Sequence, residues 1–135
     1  MKEKKILVVD DDLNMRIFIS IMLETSGYKA IIVAKDGKEG IKEAKKAAPA
    51  LIILDLMMPQ QGGILMYRQL KVDKNLKDIP VIILSGVDSK AFSHSLKMLN
   101  MGQDDPIPEP EAFVEKPPKA EDLVNIVEAL LKDAD

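Results

Sequence analysis

The chain has 135 residues, a formal net charge of −3, and 47% hydrophobic against 30% charged residues; this is ordinary globular composition, in a chain too short for two domains. Charges of both signs are interspersed, which excludes recognition of nucleic acid or membrane by bulk electrostatics, and the absence of cysteine excludes disulfides and thiolate metal sites. The first apolar run, 6–9, is too short for a signal-peptide core or a membrane span, so the expected location is the cytoplasm.

Short β-branched runs alternate with stretches of helical spacing. Residues 6–9 read as a first strand. After it, Met15, Phe18, Ile19, Met22 and Leu23 share one helix face, and Gly27 stands at the end as a left-handed stop. A second strand is predicted over 29–33, then a helix opened by Asp36 and Glu39 as a capping box, with Pro49 just beyond it. Residues 51–54 form a third strand, apolar on both faces as a strand covered on both sides must be. Gly62 and Gly63 open a helix to Val72; 81–84 is a fourth strand, about 90–101 a fourth helix, and 112–115 a fifth strand. A last helix carries Leu123, Ile126, Val127, Leu130 and Leu131. Five such units predict one α/β domain over 1–135, a doubly wound, flavodoxin-like parallel sheet in the order 2-1-3-4-5 with five helices. The proline- and acid-rich segment 102–111, GQDDPIPEPE, interrupts the rhythm.

Ligands of such sheets bind outside the carboxyl ends of the strands. Those ends carry Asp10, Asp11 and Asp12 after the first strand, Asp55 after the third, Ser85 after the fourth and Lys116 after the fifth. Neighbouring strands lie roughly 4.8 Å apart, so the acids of the first and third converge, with Ser85 beside them and Lys116 within reach. Crowded carboxylates raise one another's pKa, a conflict that a hard divalent cation such as Mg²⁺ or Mn²⁺ removes while leaving coordination positions for phosphate oxygens. A lysine and a hydroxyl next to it suit the equatorial oxygens of a phosphoryl group, which makes Asp55 the candidate nucleophile. Asp12 fits a helix cap better than a ligand. The single histidine, His94, is expected to be exposed and is given no chemistry, and the methionines at 57, 58, 66, 98 and 101 are expected mostly to fill the core.

The motifs ILVVDDD at 6–12, DGKEG at 36–40, LIILDLMMP at 51–59, VIILSG at 81–86 and FVEKP at 113–117 together resemble the receiver domain of two-component response regulators. The resemblance runs through the whole chain. It implies that Asp55 is the phosphoacceptor, that Asp10, Asp11, Asp55 and the Met57 backbone carbonyl hold the metal, and that Ser85 and Lys116 contact the phosphoryl group. Ser85 and Phe113 resemble the family's switch pair, although an aromatic there also reads as core. The Lys116–Pro117 bond is expected to be cis. The implied donor is a histidine kinase or phosphotransfer protein, docking on the first helix, where Leu13, Ile17 and Ile21 should face outward. Output passes to an unknown downstream protein, without direct nucleic-acid or membrane binding, from a monomer or weak dimer. No dedicated enzyme activity is expected beyond self-phosphorylation from phosphohistidine or small donors and self-dephosphorylation.

Three features depart from that family. Met57 and Val87 stand where polar side chains help to orient the hydrolytic water, so a long-lived phosphorylated form is expected. Segment 102–111 is longer than the usual connection, and Pro118 replaces a larger apolar residue, which puts the usual output face in question. A phosphohydrolase would need an acid at position 57, and a flavodoxin-like cofactor binder would need a Ser/Thr/Gly phosphate loop where the three aspartates stand.

Overall fold

The computed structural model describes residues 3–132. Strands β1 (Ile6–Val9), β2 (Ile31–Ala34), β3 (Leu51–Asp55), β4 (Val81–Ser85) and β5 (Ala112–Glu115) form one parallel sheet in the order β2-β1-β3-β4-β5. Helices α1 (Leu13–Thr25), α2 (Gly37–Ala47), α3 (Gly62–Val72), α4 (Ser89–Asn100) and α5 (Ala120–Lys132) complete it. The predicted order is the observed one. β2 starts two residues later than predicted, because Ile31 is the residue in register with Ile6.

Pleating sends alternate strand residues to opposite faces, and this divides the core in two. Leu7, Val9, Ile52, Leu54 and Ile83 pack with Ala44 of α2, Met66, Tyr67 and Leu70 of α3, and Phe92 and Leu96 of α4. Ile6, Val8, Leu51, Ile53, Ile82 and Leu84 pack with Ile19, Met22 and Leu23 of α1 and with Leu123, Val127 and Leu131 of α5. Each such side chain contributes about 1.5–3 kcal/mol when fully buried, which is why the central strands read as unbroken apolar runs. Among the described residues no helix is long and apolar enough to cross a membrane.

Local chemistry sets the helix ends. Asp12 caps α1 by accepting from the Asn14 N–H at 2.9 Å. α1 stops at Gly27, whose φ of 100° lets the Tyr28 N–H return to the Leu23 carbonyl. Asp36 caps α2 through the Glu39 N–H, and the Glu39 carboxylate reaches back to the Lys35 N–H rather than to that of the cap. The Lys116–Pro117 bond is cis.

Two expectations about apolar residues are corrected. Phe18 is 41% exposed and does not face the core; α1 is apolar nearly all round, and Ile19, Met22 and Leu23 occupy the space against the sheet. Of the five methionines, only Met58 and Met66 are buried, whereas Met57, Met98 and Met101 are exposed.

Segment 102–111 is anchored to the domain through its second half. Ile107 is buried in the core beneath α3 and α4. The Asn100 side chain donates to the Ile107 carbonyl at 2.9 Å and accepts from its N–H at 2.7 Å, as a neighbouring strand would. The buried Tyr67 hydroxyl donates to the Pro108 carbonyl at 2.6 Å. Glu111 closes the segment by accepting from the Val81 N–H at 2.8 Å and donating its own N–H to the Val81 carbonyl.

Candidate functional site

Strand register assembles the site. Val9 pairs with Leu54, so Asp10 and Asp55 leave the sheet side by side; Asp55 pairs with Leu84, which sets Ser85 one step further. Ser85 pairs with Glu115, and the Lys116 N–H donates to the Ser85 carbonyl at 2.8 Å, holding the fifth strand end against the fourth. The four strand ends therefore bring Asp10, Asp55, Ser85 and Lys116 to one edge of the sheet, as expected.

Asp10, Asp55 and Ser85 are buried and Asp11 is exposed. Carboxylate oxygens of Asp10, Asp11 and Asp55 lie within 4.8 Å of one another. Such an all-oxygen set, open on the Asp11 side, fits a hard divalent cation and not a soft one. The Lys116 ammonium bridges the two buried acids, 2.9 Å from Asp10 Oδ2 and 3.0 Å from Asp55 Oδ1. Burial pushes the Asp55 carboxyl above its ordinary value, and repulsion from Asp10 adds to this, against the opposing pull of Lys116 and of the Met57 N–H. For Lys116, burial alone favours the neutral amine, but its bonds to Asp10 and Asp55 outweigh it and raise the ammonium's pKa. Lys116 is therefore held charged between the two acids.

The remaining bonds keep these groups in place. Asp10 Oδ1 accepts from the Asp12 N–H at 2.9 Å, and Asp55 Oδ1 from the Met57 N–H at 3.2 Å. Ser85 Oγ accepts from the Val87 N–H at 3.0 Å. Among the described residues, no buried side-chain nitrogen or oxygen lacks a partner. Phe113 is half-buried, its ring 5.8 Å from that of Phe92, which stands 5.9 Å edge-on from Tyr67. Leu13, Ile17 and Ile21 are exposed along α1, which begins two residues after Asp11, and His94 is exposed on α4.

Two contributors escaped the sequence reading. Arg16 donates to the Asp10 backbone carbonyl at 2.7 Å, tying α1 to the strand end. Gly63 lets α3 begin directly against the backbone of the site: a β-carbon there would collide with the carbonyl oxygens of Asp55 and Leu56. A glycine pair before a helix is a visible signal, but only the fold identifies which backbone it must approach.

The family model described as the response regulator receiver domain matches residues 6–128. A protein-glutamate methylesterase/protein-glutamine glutaminase of Clostridium acetobutylicum is 36% identical over 126 residues, 92% of this chain and 36% of that protein. The alkaline phosphatase synthesis transcriptional regulatory protein PhoP of Bacillus subtilis is 39% identical over 107 residues, 79% of this chain and 42% of that protein. This chain thus spans less than half the length of either. The solved receiver domain of Francisella response regulator 1452 superposes with a TM-score of 0.75 at 32% identity, covering 98% of this chain and 100% of that one. The chemotaxis response regulator CheY4 of Vibrio cholerae superposes at 0.78 and 25% identity, covering 95% and 98%.

Proposed function

The chain belongs to the response regulator receiver domain family, and from that premise we propose that Asp55 is its phosphoacceptor, charged by a histidine kinase or phosphotransfer protein. The observation that carries this reading is the Lys116 ammonium bridging Asp55 and Asp10 in a buried pocket. An Asp55 oxygen attacks phosphorus, the bond to the donor's imidazole nitrogen breaks, and the leaving nitrogen keeps the electron pair. An acyl phosphate results.

Asp10, Asp11, Asp55 and the Met57 carbonyl would hold Mg²⁺ or Mn²⁺, which would neutralise charge on the phosphoryl oxygens. Lys116 moves its hydrogen bond from Asp55 to a phosphoryl oxygen, retaining Asp10 as its fixed counter-charge. The Ser85 hydroxyl donates to another phosphoryl oxygen, and Phe113 follows it inward. Arg16 keeps the Asp10 strand end in place through the transfer.

In this reading the protein works in the cytoplasm as a monomer or weak dimer, signals to another protein, and binds neither nucleic acid nor membrane itself. The donor docks on Leu13, Ile17 and Ile21. Ile17→Glu or Ile21→Glu should slow transfer from a cognate donor and leave charging by acetyl phosphate unchanged; equal loss of both would remove α1 as the docking surface. For the acceptor, intact-protein mass after incubation with acetyl phosphate and Mg²⁺ should rise by one phosphoryl group in the wild type and not in Asp55→Ala. A gain in Asp55→Ala would reject the assignment.

A further inference from the structure

Between α3, α4 and the loops following β3 and β4 lies a groove of about 920 Å³ that opens beside the acid cluster and has Asp11 at its rim. Its lining includes three large apolar side chains left in solvent: Met57 is 57% exposed, Leu65 48% and Met98 58%. Isolated apolar residues on a surface need no explanation, but a contiguous set in a concave groove marks a binding site. Methionines suit a surface that repacks around a helix's apolar face.

Charge selects the occupant. The chain as a whole is acidic, with 22 aspartates and glutamates. Yet α3 and α4, the groove's two walls, contain none, and carry Arg68, Lys90, His94 and Lys97 at the surface, while Lys71 is turned away to the Lys77 and Ile79 carbonyls. Arg68 and His94 line the groove itself. A segment with an apolar face and acidic flanks is complementary in both respects.

The rim of the groove is also bonded to the phosphoacceptor site. Met57 and Val87 both line it, and their N–H groups donate to Asp55 Oδ1 and Ser85 Oγ respectively. Under the function proposed above, charging Asp55 alters the acceptor of the Met57 N–H and draws the Ser85 hydroxyl, which holds the Val87 N–H, towards the phosphoryl group, so both residues that frame the mouth are bonded to groups that charging moves. We propose that this groove binds an acidic-flanked amphipathic helix of a partner protein, with an affinity that depends on the phosphoryl state of Asp55.

The probe is a dye-labelled amphipathic peptide with leucines along one face and glutamates on its flanks, compared by anisotropy with a lysine-flanked peptide of the same apolar face. The glutamate peptide should bind about tenfold or more tighter, a difference of about 1.4 kcal/mol. Arg68→Glu should reverse that preference. Leu65→Glu and Met98→Glu, at exposed positions, should abolish binding while thermal melts and phosphoryl uptake stay at wild-type levels. Methionine-methyl NMR should show Met57 and Met98 shifting on titration, and Met15 and Met22 of α1 unmoved. Absence of binding, equal binding of the two peptides, or shifts confined to α1 would overturn the proposal. A Met98 shift that depends on protein concentration without peptide would assign the groove to a second copy and overturn it too. Affinities equal before and after acetyl phosphate, with charging verified by mass, would remove the phosphoryl dependence. Failure to charge would reject the Asp55 assignment and leave the peptide comparison intact.

Discussion

The acid cluster at the strand ends and the segment 102–111 both rest on hydrogen bonds between side chains and backbone, yet they use polarity in opposite ways. At the cluster, Lys116 divides its bonds between Asp10 and Asp55, Asp55 also accepts from the Met57 N–H, and Ser85 accepts from the Val87 N–H. The bonds to Asp55 are exchangeable, and burial has left Asp55 less comfortable as an anion than an ordinary aspartate. In segment 102–111 two of the three anchors are double: Asn100 at the end of α4 grips Ile107 by both backbone groups and Glu111 and Val81 bond twice, while Tyr67 holds Pro108 by one bond. The first arrangement keeps polar groups available for exchange at a cost in stability; the second closes every option and gains rigidity.

The sharpest test of this contrast is Lys116→Met. Removing the cation that bridges Asp10 and Asp55 should slow phosphoryl uptake from acetyl phosphate by about 10²–10³-fold, as loss of a group aimed at transition-state charge does, with circular dichroism still reporting a folded domain. A rate near wild type would break the contrast from the functional side. Ile107→Ala probes the other region. It should cost about 2–4 kcal/mol in urea denaturation, with the uptake rate essentially unchanged; Asn100→Ala, which removes two bonds of about 1 kcal/mol each, should cost less. If either abolished phosphoryl uptake in the folded protein, the segment would belong to the site.

Asp55→Asn should move stability the other way. The folded carboxyl has a raised pKa, so the folded state holds its proton more tightly than the unfolded chain. The wild type therefore loses stability as pH rises from the ordinary carboxylate value through the raised one, and stays lowered above it. The amide carries no such burden, so at neutral pH without metal the variant should melt a few degrees higher. A lower melting temperature would mean that the Lys116 pair outweighs the burial cost. The smallest effect is expected from Met57→Asn and Val87→Glu, which put a polar group where the water that hydrolyses the acyl phosphate would be oriented. Phosphoryl loss, followed by intact mass after the donor is removed, should become severalfold faster; no acceleration in either would show that the apolar pair does not prolong the charged state.

The strand-end residues were legible in the sequence because a parallel sheet carries them to one edge whatever the details of packing. Register then converts chain positions such as Asp10 and Asp55 into neighbours. The misreadings share a cause as well. α1 has apolar residues on nearly every face, so its periodicity does not distinguish Phe18, which is exposed, from Leu23, which is buried. Methionine reads the same in a core as on a groove wall, and only the separation of α3 and α4 from the loop at 56–59 leaves Met57 and Met98 in solvent. Ile107 lies in a run of proline and acid that signals a loop. Its burial depends on Asn100 and on Tyr67, 7 and 41 residues from their bonding partners, which no local pattern reveals.

The central claim is that Asp55, and no other acid of the cluster, carries the phosphoryl group. Borohydride reduces an acyl phosphate to the alcohol, so charging with acetyl phosphate and Mg²⁺, reduction and peptide mapping read the acceptor directly. The account predicts homoserine at position 55 alone. Reduction at Asp10, Asp11 or Asp12, or no reduced residue in protein whose mass shows it charged, would contradict it.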